Sequence, residues 1–264
     1  MKLLFVGDIV GSPGRRILKD LLLGLVDRHA IDFTIVNVEN AAGGFGITPE
    51  VMADIESLPI DCFTSGNHIW DKKEGLALLD ADPRILRPAN YPDGNPGRGV
   101  YVGETAAGTP VAVMNLEGQV FMKGLDSPFR CADRLLADLR REVKVVVVDF
   151  HAEATSEKLA LGFYLDGRVS AVLGTHTHVP TADERILPKG TAFLCDVGMT
   201  GPYESIIGFN VDKVLHRFLM HTPSSFEVAK RDVRLAGVVL DVDESSGRAR
   251  AIERLLIRDA ASPA

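Results

Sequence analysis

Cysteine is scarce in this sequence: only Cys62, Cys131 and Cys195 occur among 264 residues. Three thiols with no Cys-x-x-Cys pair exclude a disulfide framework and a thiolate metal knuckle, and they are expected to be reduced. Long hydrophobic runs are missing too. No apolar stretch reaches the roughly 18–20 residues that span a bilayer, and no basic segment precedes the apolar start of MKLLFVGDIVGSPGRR. A cytoplasmic protein with no membrane partner is the expectation. Basic charge is in deficit, with 29 Lys and Arg against 36 Asp and Glu and a net charge of −7. A long polyanion wants a basic stripe, so extended nucleic acid is not an expected partner. A small phosphate ester stays open, because bound divalent cations can invert the local field whatever the overall charge. No repeat, low-complexity tract or Pro/Gly-rich linker divides the chain. With 46% hydrophobic residues, 264 positions suffice for one core, and a single domain over 1–264 is expected. The oligomeric state is not legible, and a homo-oligomer stays open.

What is present is a series of short apolar runs bounded by polar turns: 2–8, 32–40, 61–68, 109–118, 143–152, 168–178 and 191–198. Runs of this length, rich in β-branched residues, read as buried strands. Helical stretches lie between several of them. Ser12-Pro13 makes an N-cap and first-turn pair ahead of Ile17, Leu18, Leu21, Leu22, Leu25 and Val26 at helical spacing. Thr48-Pro49 opens a second helix, Ser127-Pro128 a third, and Glu153 to Phe163 reads as a fourth. The tail, 233–259, changes to two strand-like runs around Asp243-Glu244-Ser245-Ser246-Gly247, a hairpin signal. Segment 82–108, rich in Pro, Gly and Asn, reads as a long surface excursion.

Side chains with metal or proton chemistry fall repeatedly at the C-terminal ends of the apolar runs. Asp8 ends the first, Glu39 and Asn40 the second, Asn67 and His68 the third, His151 the fifth, and His176 and His178 the sixth. Sites in open α/β sheets form at that edge. Each element alone has a plainer explanation. Asp8 could cap the following helix, Ser-Gly-Asn-His could be a turn, and a lone histidine after a strand is commonly structural. His29, His216 and His221 lie in helical stretches and read as surface residues. Five strand ends that each offer a ligand are not explained one at a time.

Carboxylate, carboxamide and imidazole without thiolate suit Mn, Fe, Zn or Mg, and sequence does not choose among them. Eight candidate side chains exceed the needs of one tetrahedral ion, so two ions sharing a carboxylate is the economical arrangement. Two metals roughly 3.5–4 Å apart suit in-line displacement at phosphorus.

The order Gly-Asp (7–8), Glu-Asn (39–40), Gly-Asn-His (66–68), His151 and Gly-Thr-His-Thr-His (174–178) resembles the calcineurin-like metallophosphoesterase superfamily. Two departures stand out: Asp8-Ile9-Val10 replaces the usual Asp-x-His, and Glu39 stands where the bridging Asp is usual. With Val-Glu-Asn-Ala-Ala-Gly-Gly (38–44) and Asp-Val-Gly-Met-Thr-Gly-Pro (196–202), these resemble the bacterial branch of cyclic-nucleotide phosphodiesterases of the 2',3'-cyclic AMP type. The resemblance implies a layered α/β/β/α sandwich, two mixed sheets flanked by helices, with the tail hairpin in the second sheet. It implies that Asp8, Glu39, Asn40 and His178 hold one metal, with Asn40 in the position Val10 leaves empty. Glu39, Asn67, His151 and His176 would hold the other. The activity implied is hydrolysis of small phosphodiesters by a metal-bridging hydroxide, with 2',3'-cyclic AMP as first candidate substrate and 3',5'-cyclic AMP as second. His68, not needed as a ligand, would protonate the leaving ribose oxygen. Alternatives are a phosphomonoesterase or protein phosphatase on the same centre, and a regulatory ligand sensor without turnover.

Other features carry less. The glycine spacing of 7–14 is wrong for a dinucleotide-binding turn, and Pro13 removes a backbone donor. Arg15 and Arg16 read as helix-face ion-pair partners or as phosphate contacts. Phe121-Met122 could pack on the core or form a base-stacking lip, and Cys195 reads as a buried small residue.

Overall fold

The apolar runs build two six-stranded sheets packed face to face. The computed structural model describes residues 1–139 and 143–259; the single-domain expectation over 1–264 extends to residues outside these. In the first sheet, β1 (Lys2–Val6), β2 (Phe33–Asn37) and β3 (Cys62–Thr64) run parallel. The second holds β4 (Val100–Glu104), β5 (Pro110–Glu117), β6 (Val145–His151), β7 (Ala171–Thr175), β8 (Arg185–Ile186) and β9 (Ala192–Leu194). Its spatial order is β4-β5-β6-β7-β9-β8, parallel through β5, β6, β7 and β9 with antiparallel strands at both edges.

Period-two side-chain alternation makes the layers. Leu3 and Phe5 of β1, with Phe33 and Ile35 of β2, face inward onto Val111, Val113, Val145, Val147 and Leu173 of the second sheet. The intervening Leu4, Val6 and Val36 face outward onto helix α1 (Gly11–His29), which buries Ile17, Leu18, Leu22 and Leu25. A short helix α2 (Pro49–Ala53) and α3 (Lys73–Ala81) lie on the same side. The second sheet turns Met114, Leu116, Val148 and Phe150 outward to α4 (Pro128–Asp138) and α5 (Thr155–Leu165). Each fully buried Leu, Val or Phe adds about 1.5–3 kcal/mol relative to exposure, so two apolar faces per strand hold both sheets between their helices. The α/β/β/α sandwich of two mixed sheets is therefore the observed fold. Among the described residues no helix is long and apolar enough to cross a membrane.

Three local expectations are corrected. The tail hairpin is part of the first sheet rather than the second: after the two-residue β10 (Gly201–Pro202) and α6 (Val211–Met220), strand β11 (Val233–Val242) pairs antiparallel with β1, and β12 (Ala249–Arg258) pairs with β11. β2 occupies only one flank of β1, and β11, apolar on both faces, fills the other. Segment 82–108 is not a surface excursion, because Ile85, Leu86 and Asn90 are buried and β4 forms the edge of the second sheet. Helix α1 begins at Gly11, with Val10 at its N-cap and no side-chain cap, so Ser12 is inside the helix. Thr48-Pro49 and Ser127-Pro128 open α2 and α4 as expected, with a side-chain cap bond from Thr48 and none from Ser127.

Candidate metal centre

Parallel strands in both sheets end at one edge, and the candidate side chains collect there. Asp8 lies two residues past β1, and Glu39 and Asn40 lie just past β2. Asn67 and His68 open a 3₁₀ turn after β3, with Gly66 between. His151 is the last residue of β6, and His176 and His178 follow β7. The first three strands belong to one sheet and the last two to the other, so the site exists only where the sheets meet.

The donor atoms converge. Glu39, His151 and His176 bring one ligand atom each to within 4.8 Å of one another, and so do Asp8, Glu39 and His178. Glu39 belongs to both groups. The carboxamides lie beside them: Asn67 Oδ1 is 3.0 Å from His151 Nε2, and Asn40 Nδ2 is 3.0 Å from His178 Nε2 while donating to Glu39 Oε1 at 3.0 Å. His176 Nδ1 is 3.0 Å from His151 Nε2. His68 stands apart. Its backbone N–H donates to Glu39 Oε2 at 3.2 Å, but its ring turns Nδ1 to Asp71 at 2.8 Å and is partly exposed.

Burial dominates the electrostatics. It pushes the Asp8 carboxyl up to about 7, with the Asp196 charge adding to the shift, and raises Glu39 well above the usual carboxylate range, helped by Asp8. The same burial lowers His151 well below the usual imidazole range, takes His176 down to about 4 and lowers His178. Neutral imidazoles are what a metal needs, and closely packed buried carboxylates are what it would compensate. The buried Oδ1 of Asp8, whose carboxyl belongs to this cluster, has no hydrogen-bond partner.

Supporting contacts orient the imidazoles. His178 Nδ1 donates to the Ile207 carbonyl at 2.9 Å, which leaves Nε2 unprotonated toward the site. His151 Nδ1 lies 3.0 Å from Thr175 Oγ1, which donates at 2.7 Å to Asp149; Asn37 Nδ2 donates to the same carboxylate at 3.0 Å. His176 and His178 both have left-handed backbone, φ 98° and 66°. Such strain, of order 1–3 kcal/mol per residue, persists only when surroundings impose it. Asp196 supplies the constraint, accepting from Thr177 N–H at 3.1 Å and Thr177 Oγ1 at 2.8 Å, and it pairs with the buried Lys158 at 2.7 Å. Asp149 and Lys158 are not among the residues that the sequence pattern singles out, and Asp196 enters it only as the first residue of the 196–202 motif, with no role attached. A carboxylate inside Val-Val-Val-Val-Asp-Phe-His is the available signal, since a strand buried on both faces excludes an unpartnered charge.

Other candidates resolve differently. Arg15 pairs with Asp54 and Arg16 with Asp259 on the α1 surface, and Cys195 is buried. Met122 packs against the core while Phe121 is 88% exposed.

A two-sheet sandwich with this donor set at the shared strand edge defines a hydrolase of the metallophosphoesterase class. Residues 4–255 match the family of YmdB-like proteins, and the chain belongs to that family. It is 50% identical to the 2',3'-cyclic-nucleotide 2'-phosphodiesterase of Bacillus subtilis (strain 168), over 98% of each chain. A crystal structure of a hypothetical protein from Thermus thermophilus superposes with a TM-score of 0.92 at 44% identity, covering 100% of both chains. A novel phosphatase from Mycoplasma pneumoniae superposes with a TM-score of 0.92 at 35% identity, covering 98% of this chain and 93% of the other.

Proposed function

We propose that the chain hydrolyses cyclic phosphodiesters of nucleosides, 2',3'-cyclic AMP first and 3',5'-cyclic AMP second, at a two-metal centre. The observation that carries this reading is Glu39, whose carboxylate is common to two separate donor groups. Asp8, Glu39, Asn40 and His178 would hold one ion, and Glu39, Asn67, His151 and His176 the other. When bound, the ions supply Lewis acidity, lowering the pKa of water and offsetting charge on the phosphoryl oxygens. The name of the Bacillus subtilis relative supports a cyclic diester as substrate.

The residues of this chain supply orientation and a proton. Asn67 through Oδ1, and Asn40 once its amide turns to present Oδ1 in place of Nδ2, would add neutral oxygen donors without increasing the buried charge. Asp71 accepts from His68 Nδ1, which fixes the ring; with both ring nitrogens protonated, the imidazolium would give its Nε2 proton to the leaving oxygen. In a 2',3'-cyclic substrate the P–O2' bond breaks and O2' takes that proton. The oxygen of water bonds to phosphorus, and the product is the 3'-phosphomonoester.

The test is product analysis with metal-loaded protein and 2',3'-cyclic AMP, beside bis-p-nitrophenyl phosphate and p-nitrophenyl phosphate. Formation of 3'-AMP and preference for the diester are expected. Preference for p-nitrophenyl phosphate would make the chain a phosphomonoesterase on the same centre, and binding without single turnover would make it a sensor.

A further inference from the structure

Three phenylalanine rings gather beside His68 and belong to none of the three apolar cores. The Phe45 centroid lies 5.0 Å from that of His68, edge to face at 71°. Phe209 stacks on Phe45 at 5.2 Å and 21°, and Phe226 meets Phe45 at 5.8 Å and Phe209 at 5.0 Å. The packing is close enough to demand glycine at 44: its φ is +96°, and a Cβ there would come within 2.7 Å of the Phe209 ring.

The cluster is anchored to the metal centre on both sides. Phe45 touches His68, and the loop that carries Phe209 gives the Ile207 carbonyl to His178 Nδ1. A satellite core would be expected to close over its rings, but Phe226 is 42% and Ile207 50% exposed. The Arg217 guanidinium lies 4.9 Å from the Phe226 centroid. An aromatic surface thus reaches from solvent to the candidate acid.

The chemistry of the substrate says what such a surface would meet. In a 2',3'-cyclic nucleotide the leaving O2' is borne on the ribose carbon adjacent to the one that carries the base. A group that delivers its proton to O2' therefore stands nearer the C1' end of the sugar, which bears the base, than a group serving O3' would. Resting on the reading of His68 as that group, we infer that the nucleobase lies against the Phe45–Phe226 surface, which selects purine substrates and turns the ester so that O2' leaves. Stacking on aromatic rings suits this task because it needs area more than hydrogen-bond register, and purines offer more area.

The experiment compares adenosine 2',3'-cyclic phosphate with methyl riboside 2',3'-cyclic phosphate, which lacks the base, in wild type, Phe226→Ala and Phe45→Leu, all metal-loaded. Wild type should prefer the nucleotide in kcat/KM by about 10- to 100-fold, the range expected for one base–aromatic stack, and both variants should lose most of that ratio. Phe226→Trp should keep or raise it, and Phe45→Leu should release a larger share of 2'-AMP. A wild-type ratio near one, or a ratio unchanged in both variants, would overturn the inference while leaving the phosphodiesterase reading intact. Calorimetric binding of 3'-AMP against ribose 3-phosphate decides the point without turnover. If wild type cleaves neither cyclic ester, the proposed function fails; base-dependent binding lost in both variants would still support the aromatic site, and base-independent binding would overturn it.

Discussion

The Glu39 carboxylate lies 3.3 Å from His151 Nε2, with both side chains out of solvent. This is not an ion pair, since burial drives the carboxyl up and the imidazole down, each toward its neutral form. A cation held between them would offset the carboxylate charge and bind the neutral imidazole, and Glu39 also belongs to the donor group of Asp8 and His178. Two metal ions per chain are expected on elemental analysis after anaerobic reconstitution. Full activity at a saturated value of one would exclude a bridging Glu39.

Metal loading should weaken as pH falls. Asp8 is pushed up to about 7 and Glu39 is raised, so protons compete with cations for these carboxylates near neutrality. His176, down to about 4, and the lowered His151 remain neutral there and offer no such competition. From about pH 8 to about pH 6, Kd should rise up to about tenfold per pH unit for each carboxylate that must lose a proton, with proton release on binding. Calorimetric titration in that window reads both, and a flat Kd would contradict the assignment of Asp8 and Glu39 as ligands.

Glu39→Gln should abolish most activity and spare the fold. The side chain is buried and displaced toward its neutral form, so an amide of the same shape disturbs the metal-free protein little. It cannot offset two cations, and the loss in turnover should exceed the roughly 10- to 100-fold typical of partners one step further from a metal. Thermal melting without metal, beside kcat at saturating metal, checks both halves. Near-wild-type turnover would remove Glu39 from the bridge.

His68→Ala should retain both metals. Its loss on 2',3'-cyclic AMP should be about 10²- to 10⁴-fold, the contribution of a general acid where the leaving group is poor. On bis-p-nitrophenyl phosphate, whose leaving group needs no proton, the loss should be much smaller. Equal losses would assign His68 to charge stabilisation of the phosphoryl oxygens, and loss of a metal would make it a ligand.

Gly66→Ala should damage the centre through geometry alone. A Cβ at this position would overlap His151 Nε2 and Glu39 Oε2, neither of which can retreat from its buried place. Metal content after reconstitution should fall while far-UV circular dichroism stays near wild type. Full metal occupancy would show that the strand-end backbone can shift enough to admit a methyl group.

Much of this protein is determined by local sequence. Apolar runs of strand length, each closed by Asp8, Glu39, Asn67, His151 or His176, establish both the parallel α/β character and the edge at which chemistry collects, because period-two burial and strand ends are local properties. The tertiary structure decided what no local pattern encodes. Two sheets meet so that Glu39 from one stands between His151 and His178 from the other, and the tail hairpin completes the first sheet by filling the free flank of β1. The roles of Asp149 and of the Lys158–Asp196 pair are not legible in the sequence, although Asp149 stands out inside an apolar strand and Asp196 opens the 196–202 motif, because their partners lie 26 and 38 residues away and a buried charge declares its role only when its partner is seen. The open aromatic edge beside His68 is tertiary for the same reason: Phe45, Phe209 and Phe226 are ordinary apolar residues in sequence, and only packing determines which of them is left facing water.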